Sequence, residues 1–559
     1  MYMDAFSRIC ILDGYVDEPS LLGVPPYISP YPRYILGAID DALGNTEHEV
    51  FYTTIDRFRT DDGVKDRVFR ASFLILIAGC LVPGKYLSGA PISPKEIGEI
   101  AREASRRGLE VLLTGGFAKY RLSGQPFSGF VLSNGSGDPD AGIFDLITRG
   151  GMSQRKHLPQ ERAKWSVLGA PVVKQHPNFP QRLIAEIETY RGCVRFRSGG
   201  CVFCMEPAHG EPDFRSQHEV VSEVSALYEL GVDKFRIGGQ SCIFSYGTKE
   251  LGTSEAPKPN PEAVEALFYG LRRACPNISV LHVDNANPAV IAEHPKESLA
   301  VAKSLVKHCT SGNVVAFGLE SADPQVYKKA NLNATPQQTL EATRLLNEVG
   351  AARGQNGMPA LLPGINFLFG LPGESKATYD MDREFLEGLL EEKLLTRRIN
   401  IRQVAKLVGG EPFVRVDRRD FMEFKAWARE HFDQVQLKRM LPIGTILRDI
   451  YIEMHEGSLS FGRQIGSYPL LVGFQCPLPE ERFNGWVVEY GARSITCLRY
   501  PLPVNKASLR ELNSVPGIGN KRAASLVRYR PYKDWEDLSA KVELDTSLFD
   551  YPRLFDFAR

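Results

Sequence analysis

The sequence predicts an α/β protein of several domains built around a partial (β/α)6 barrel. Three observations predict it. Residues 166–405 repeat a strand–helix rhythm six times. A continuous apolar run at 73–78, helical spacing at 97–107 and a second apolar run at 109–114 precede that repeat. At 559 residues the chain is also too long for a single core.

The first region, 1–165, reads as a doubly wound α/β domain with a linker. Residues 10–14 end a short strand, and 73–78 has the unbroken apolar character of a buried parallel strand. The strand at 109–114 runs into Gly115-Gly116. A glycine pair at a carboxyl end suggests a ligand crevice. Residues 120–165, rich in Gly, Ser, Asp and Pro, read as loop, linker or cover.

The barrel region, 166–405, places strands at 183–188, 234–238, 279–283, 314–320, 364–370 and 399–404. Helical segments fall at 219–230, 261–274, 298–308, 336–349 and 377–390. Barrels of this kind collect ligands at their carboxyl ends. Residues 406–500 form a mixed α/β accessory module: 421–432 is helical, and 446–453, 469–474 and 486–490 suggest a small β-rich unit. Residues 501–559 form a last, helical domain.

Charge is balanced, 67 basic against 67 acidic residues, so no global field directs the chain to nucleic acid or membrane. No run approaches the roughly 20 apolar residues of a membrane helix. The start lacks a basic-then-apolar signal pattern, and the ten cysteines are scattered. Both fit a cytoplasmic protein.

The chemistry concentrates after the first barrel strand. Cys193, Cys201 and Cys204 fall within twelve residues. Three thiolates on one loop can hold three irons of a [4Fe–4S] cluster and leave the fourth open. Structural zinc wants four ligands, often as two close pairs; here there is one close pair, and the nearest histidines are His209 and His218. Further residues fall at strand ends: Gly238-Gly239-Gln240, Asp284-Asn285, Gly318-Leu319-Glu320-Ser321, Gly364-Ile365-Asn366 and Gly370-Leu371-Pro372-Gly373-Glu374. Each glycine alone could merely make a tight turn.

Glu188-Thr189-Tyr190-Arg191-Gly192-Cys193 with Phe203-Cys204, followed in order by Gly-Leu-Glu-Ser and Gly-Leu-Pro-Gly-Glu, resembles the radical SAM superfamily across residues 166–405. The first cysteine spacing departs from the usual three intervening residues, since seven separate Cys193 from Cys201. The resemblance implies a metal site of Cys193, Cys201 and Cys204 carrying a [4Fe–4S] cluster. S-adenosylmethionine (SAM) would chelate the open iron and be cleaved reductively to a 5′-deoxyadenosyl radical that attacks an unactivated carbon. It implies cofactor contacts from Phe203 to adenine, from Gly238, Gly239 and Gln240 to the amino group, from Glu320 and Ser321 to the amino group or ribose, and from Ile365 and Asn366 to adenine. A reductant such as ferredoxin or flavodoxin is the implied partner.

Two resemblances compete for the first domain. Methylthiotransferases carry three cysteines there for a second cluster. Here Cys80 matches one position, while Gly14-Tyr15 and Gly115-Gly116 occupy the others, and one thiol cannot hold that cluster. Cobalamin-binding domains of radical SAM methyltransferases share the doubly wound sheet and the glycine pair, and Pro25-Pro26-Tyr27 and the segment 30–37 resemble their opening. No Asp-x-His-x-x-Gly motif is present; the early histidines are His48, His157 and His176. A third reading is a domain that binds nothing and shapes a channel. Further on, residues 460–464 resemble the β-barrel that follows the methylthiotransferase core; an accessory sheet that closes the larger barrel is the other reading of this module.

Residues 512–524, with Pro516-Gly517-Ile518-Gly519 at their centre, resemble a helix-hairpin-helix. In such modules the hairpin grips nucleic-acid backbone without reading sequence, here through Gly517, Gly519, Lys521 and Arg522. Residues 506–533 hold seven basic residues against one acidic, Glu511. Protein contact is the alternative use. The whole layout resembles an archaeal-type group of radical SAM proteins with a C-terminal hairpin. It implies an enzyme modifying a macromolecule at an unactivated carbon, RNA first with a protein side chain or backbone as the alternative, and cobalamin-dependent methyl transfer ahead of methylthiolation; RNA or DNA backbone is the partner implied for the hairpin. A nucleic-acid-binding Fe–S protein without radical turnover is the non-enzymatic reading.

Overall fold

The computed structural model describes residues 6–18, 20–80, 88–116, 129–132, 137–404, 414–547 and 549–558. The first strand, β1 (Arg8–Asp17), continues past the expected end at 14. After a two-residue strand, β2 (Tyr27–Ile28), come β3 (Glu49–Thr54), β4 (Phe73–Cys80), β5 (Glu110–Thr114) and β6 (Phe130–Leu132). Strands β1 and β3–β6 form a parallel five-stranded sheet in the order β3-β1-β4-β5-β6. Two apolar layers cover its faces.

The barrel follows the expected rhythm. Its first strand is β7 (Ile184–Glu188). A small pair, β8 (Tyr190–Arg191) and β9 (Asp213–Phe214), closes the base of the cysteine loop. The remaining barrel strands are β10 (Lys234–Gly239), β11 (Val280–Val283), β12 (Asn313–Glu320), β13 (Leu361–Phe369) and β14 (Arg398–Gln403). They run parallel as β2-β7-β10-β11 and β12-β13-β14, joined by a parallel bridge between Ala286 and Phe317. The added member is β2: Tyr27 and Ile28 register with Ile184 and Ala185, so the first region donates a strand to the barrel edge.

That donation is part of a larger fusion. The helix Tyr31–Leu43 packs on both regions, and one apolar core runs from Ile9 and Ile11 through Ile35 and Trp165 to Ala185 and Phe235. Arg33 and Arg215, fully buried, both ion-pair with buried Glu223. Arg33 also donates to the Glu186 carbonyl, and Arg215 to the Glu188 carbonyl at 2.8 Å. Part of the 120–165 stretch read as loop lies outside the described residues. The rest contains helices Pro139–Arg149 and Pro159–Leu168. Both start on proline at the first turn, and the first ends on Gly150 in the left-handed region, so the residues that suggested loop are their caps.

Residues 418–440 are helical, with a widened turn at 428–433. The β-rich module is a closed barrel of its own, not a sheet that completes the larger one. Its strands are β15 (Ile446–Glu456), β16 (Leu459–Gln464), β17 (Leu471–Phe474), β18 (Arg482–Tyr490) and β19 (Ser494–Arg499), in the order β15-β16-β17-β19-β18. The last domain holds helices Leu509–Asn513 and Asn520–Arg528 around the hairpin, sharing a core with Trp486 and Leu498 of the small barrel.

Candidate functional site

The loop after β7 brings Cys193, Cys201 and Cys204 into the wall of a cavity of about 490 Å³ at the carboxyl ends of the barrel strands. Nitrogen–hydrogen groups face all three sulfurs. The Arg195 amide lies 3.4 Å from Cys193 Sγ, Arg195 Nη1 lies 3.3 Å from Cys201 Sγ, and the Glu206 amide bonds Cys204. Arg195 is fixed by Glu255 at 3.0 Å and by the Asn331 carbonyl and side chain, each at 2.9 Å. The long spacing between the first two cysteines therefore carries the residue that reaches back to their sulfurs. It closes through Gly199 and Gly200, both left-handed; a Cβ on Gly200 would lie 2.5 Å from Pro207. Burial pushes the Cys201 thiol up to about 12 and raises Cys193 and Cys204.

This donor set fits a polynuclear cluster better than a lone ion. Zinc ligands crowd within about 4 Å of one another, given Zn–S bonds of ~2.3 Å. Among the described residues one group has three ligand atoms within 4.8 Å, and it is Asp138, Asp140 and His157. The three thiols stand wider, around open space, each already facing a donor of the kind that solvates cluster sulfur.

The rest of the cysteine motif is scaffold. Arg191 pairs with Glu188 at 2.8 Å and with Asp138, tying the loop to the helix Pro139–Arg149. Thr189 donates to Gln240 Oε1 at 3.0 Å, and the Tyr190 hydroxyl to the Cys242 carbonyl at 2.6 Å.

Of the sequence-predicted cofactor residues, Phe203, Glu320 and Asn366 line the cavity together with the three cysteines. Glu320 sits at φ 67° after a register shift in β12, and Gly318 leaves room for it: a Cβ there would lie 3.0 Å from Glu320 Oε1. The others stand behind the wall. Gly238 is glycine because a Cβ would collide with the Arg236–Glu186 pair, and Gly239 because Glu188 and Leu21 occupy the space. Gln240 is buried and donates to the Ile237 and Asp284 carbonyls. Ser321 faces Asp382, and Ile365 is core. Leu371 of the Gly-Leu-Pro-Gly-Glu run supports Cys201 and Phe203 from below.

Several lining residues carry no sequence signal. Glu18 and Ser20 follow β1 into the cavity, and Ser20 donates to Glu206 Oε1 at 2.5 Å. Cys242 lines the wall and accepts from the Asn287 amide at 3.2 Å. Tyr468, on the loop between β16 and β17, reaches in from the small barrel. It sits at φ 51°, rare for a bulky residue, with its hydroxyl on Asp284 and the Arg398 guanidinium 4.2 Å from its ring centre. Asp284 also pairs with Arg236, which pairs with Glu186.

Gly115-Gly116, which the cobalamin resemblance uses, packs closely on the end of β4 and on Glu18. A Cβ on Gly115 would meet the Ala78 backbone at 2.8 Å, and the Gly116 amide donates to Glu18 Oε1 at 3.0 Å. His157 bonds Asp140 at 2.8 Å, and His176 lies buried beside Tyr52. Of Cys80 the backbone ends β4, while 81–87 and 117–128 lie outside the described residues.

The radical SAM superfamily profile matches residues 187–386, from the strand before the cysteine loop to the fifth barrel helix. The chain belongs to the radical SAM superfamily. A helix-hairpin-helix motif matches 502–553. An uncharacterized protein of Methanocaldococcus jannaschii is 45% identical over 511 residues, covering 88% of this chain and 92% of the relative. One of Archaeoglobus fulgidus is 41% identical over 531 residues, covering 91% and 93%. Among solved structures, the radical SAM methyltransferase TsrM from Kitasatospora setae overlaps 70% of this chain and 72% of its own, at 16% identity and a TM-score of 0.46. An overlap that loose bears on no chemistry. Radical SAM proteins carry a [4Fe–4S] cluster and SAM, so superfamily membership supports an enzyme. Among the described residues no helix is long and apolar enough to cross a membrane.

Proposed function

We propose that this radical SAM protein holds its cluster on Cys193, Cys201 and Cys204, binds SAM in the adjoining cavity and functionalises an unactivated carbon of a nucleic acid. The observation that carries the reading is the convergence of three thiols, each met by an N–H donor, on one cavity at the carboxyl ends of a parallel barrel. When bound, the reduced cluster supplies the electron that splits SAM and so opens hydrogen-atom abstraction.

The chain's own residues do the rest. Glu320 offers a carboxylate to the SAM ammonium, and Phe203 a flat apolar surface to the adenine. Asn366 offers an amide at the same end. Phe367, Leu368 and Ala286 keep the floor apolar. Arg195 sets the electrostatics at the sulfurs. The helix-hairpin-helix, with Lys521 and Arg522 exposed beside Gly519, takes the nucleic-acid backbone.

Anaerobic purification with iron, sulfide and cobalt quantified, followed by SAM-cleavage assay, tests this. About four irons with 5′-deoxyadenosine released on reduction supports it; an iron-free chain, or one inert to SAM, overturns it. Methyl transfer through cobalamin is a second outcome, read as stoichiometric cobalt, and about eight irons would signal a second cluster.

Two further results follow. Arg195→Met removes a cation and a donor from the cluster sulfurs, so the reduction potential should fall while iron content holds; electrochemical titration measures it. Glu320 is pushed up to about 7 by burial. Its carboxyl is therefore neutral below pH 7, and a cationic ligand favours the ionised form. SAM affinity should rise about tenfold per pH unit towards 7 and level off above it. Glu320→Gln should flatten that profile in equilibrium binding; a profile unchanged by the substitution would remove Glu320 from the SAM site.

A further inference from the structure

The small barrel has a topology that says more than its size. Numbered from its own first strand, its order is 1-2-3-5-4, closing back on 1. Strand β15 pairs antiparallel with β16 and β18, β16 with β17, and β18 with β19, while β17 and β19 run parallel. Five strands in a closed barrel with that one parallel contact make an OB-fold, whose second and third strands commonly receive oligonucleotides.

Those strands here are β16 and β17. Ser460, Gly462, Val472 and Phe474 point inward and are buried, leaving Phe461, Arg463, Leu471 and Gly473 on the outer face. Phe461 registers with Gly473, and a Cβ on that glycine would lie 3.3 Å from the ring edge. The ring thus lies across a bare neighbouring strand, and Phe461 belongs to none of the hydrophobic cores among the described residues. Met454, its partner on β15, is 45% exposed.

The two ends of this face lead to the two sites already described. At one end, Arg510 of the helix before the hairpin donates to Ser458 at 3.2 Å and to Gln475 at 3.1 Å, and Ser514 donates to Gln475 at 2.9 Å. At the other end β16 runs into the loop that carries Tyr468 into the cavity, where the Ser467 amide meets His282 Nδ1 at 3.0 Å. Six residues of strand span ~20 Å.

We propose that the outer face of β16 and β17 carries a single-stranded RNA segment between the hairpin, which holds its backbone, and the cavity, with a base stacked on Phe461. This rests on the nucleic-acid reading above and names the form of the substrate. RNA is the source chosen, because it, unlike cellular DNA, offers extended single strands with splayed bases. A ring on a flat outer face serves any base, as single-strand binders require.

The test is fluorescence anisotropy on the anaerobically purified full chain, without SAM or reductant, against oligouridylate of about 12 nucleotides, the matching RNA duplex and oligothymidylate. Phe461→Leu keeps apolar bulk and removes the ring; it should bind the single strand about tenfold more weakly and the duplex as before. Phe461→Tyr should restore single-strand binding. Lys521→Ala with Arg522→Ala should weaken every ligand alike. Wild-type single-strand affinity in Phe461→Leu, a preference for duplex, or binding of DNA alone would overturn the proposal. A chain that binds RNA this way yet does not cleave SAM would sink the catalytic reading and leave this one standing.

Discussion

Cys204→Ala is expected to abolish reductive SAM cleavage while leaving the fold and RNA affinity unchanged. The thiol is half-buried in the cavity wall and belongs to no hydrophobic core among the described residues, so its loss removes little packing. Losing one of three protein ligands removes the cluster's hold rather than merely weakening it, and the iron count should fall from about four towards zero. Cys242→Ala is the matched control. Cys242 lines the same cavity, but its sulfur accepts from the Asn287 amide and its side chain sits in the core. That variant should keep its iron and its turnover. The measurements are iron content, the visible spectrum and 5′-deoxyadenosine released per chain. Retained turnover in Cys204→Ala would remove the cluster from this loop; loss of iron in Cys242→Ala would make the donor set larger than three.

The barrel was legible because apolar strands alternating with amphipathic helices leave two periods in one stretch of chain, and five of its helices begin or end within a few residues of expectation. The cysteine loop was legible because its residues are consecutive. What escaped was assembled from distant parts. Tyr468 acquires its place by touching Asp284, 184 residues away, and no local pattern marks that. Strand β2 is two residues long and shows no period. The Gly238-Gly239-Gln240 run was open to two physical causes, ligand approach and a tight turn, and the structure adds a third that no local pattern marks: a Cβ would meet the Arg236–Glu186 pair at Gly238 and Glu188 at Gly239. The helices within 139–168 were masked by proline, aspartate and glycine, which punctuate loops and helix ends alike.

Glu223→Ala is expected to cost about 3–5 kcal/mol, the range for stripping one partner from a buried ion pair. Arg33, Arg215 and Glu223 are all fully excluded from water, and the single carboxylate answers both guanidinium groups. Removing it leaves two buried cations with only carbonyl and hydroxyl partners: Ser29, Glu186, Glu188, Glu219 and Tyr34. Glu223→Gln keeps the shape and one acceptor, so it should lose less but still register. The location matters as much as the magnitude. Arg33 is on the helix that packs on the first sheet, Arg215 follows the cysteine loop, and Glu223 is on the first barrel helix. Their failure would therefore loosen the first region from the barrel and, through the Arg215–Glu188 contact, the strand that launches the cysteine loop. Thermal unfolding with limited proteolysis should show Glu223→Ala melting earlier and cleaved first near residues 170–180, with cluster content falling in parallel. A variant that melts early but keeps its iron would show that the cysteine loop stands without this junction, and would make the first region separable from the barrel.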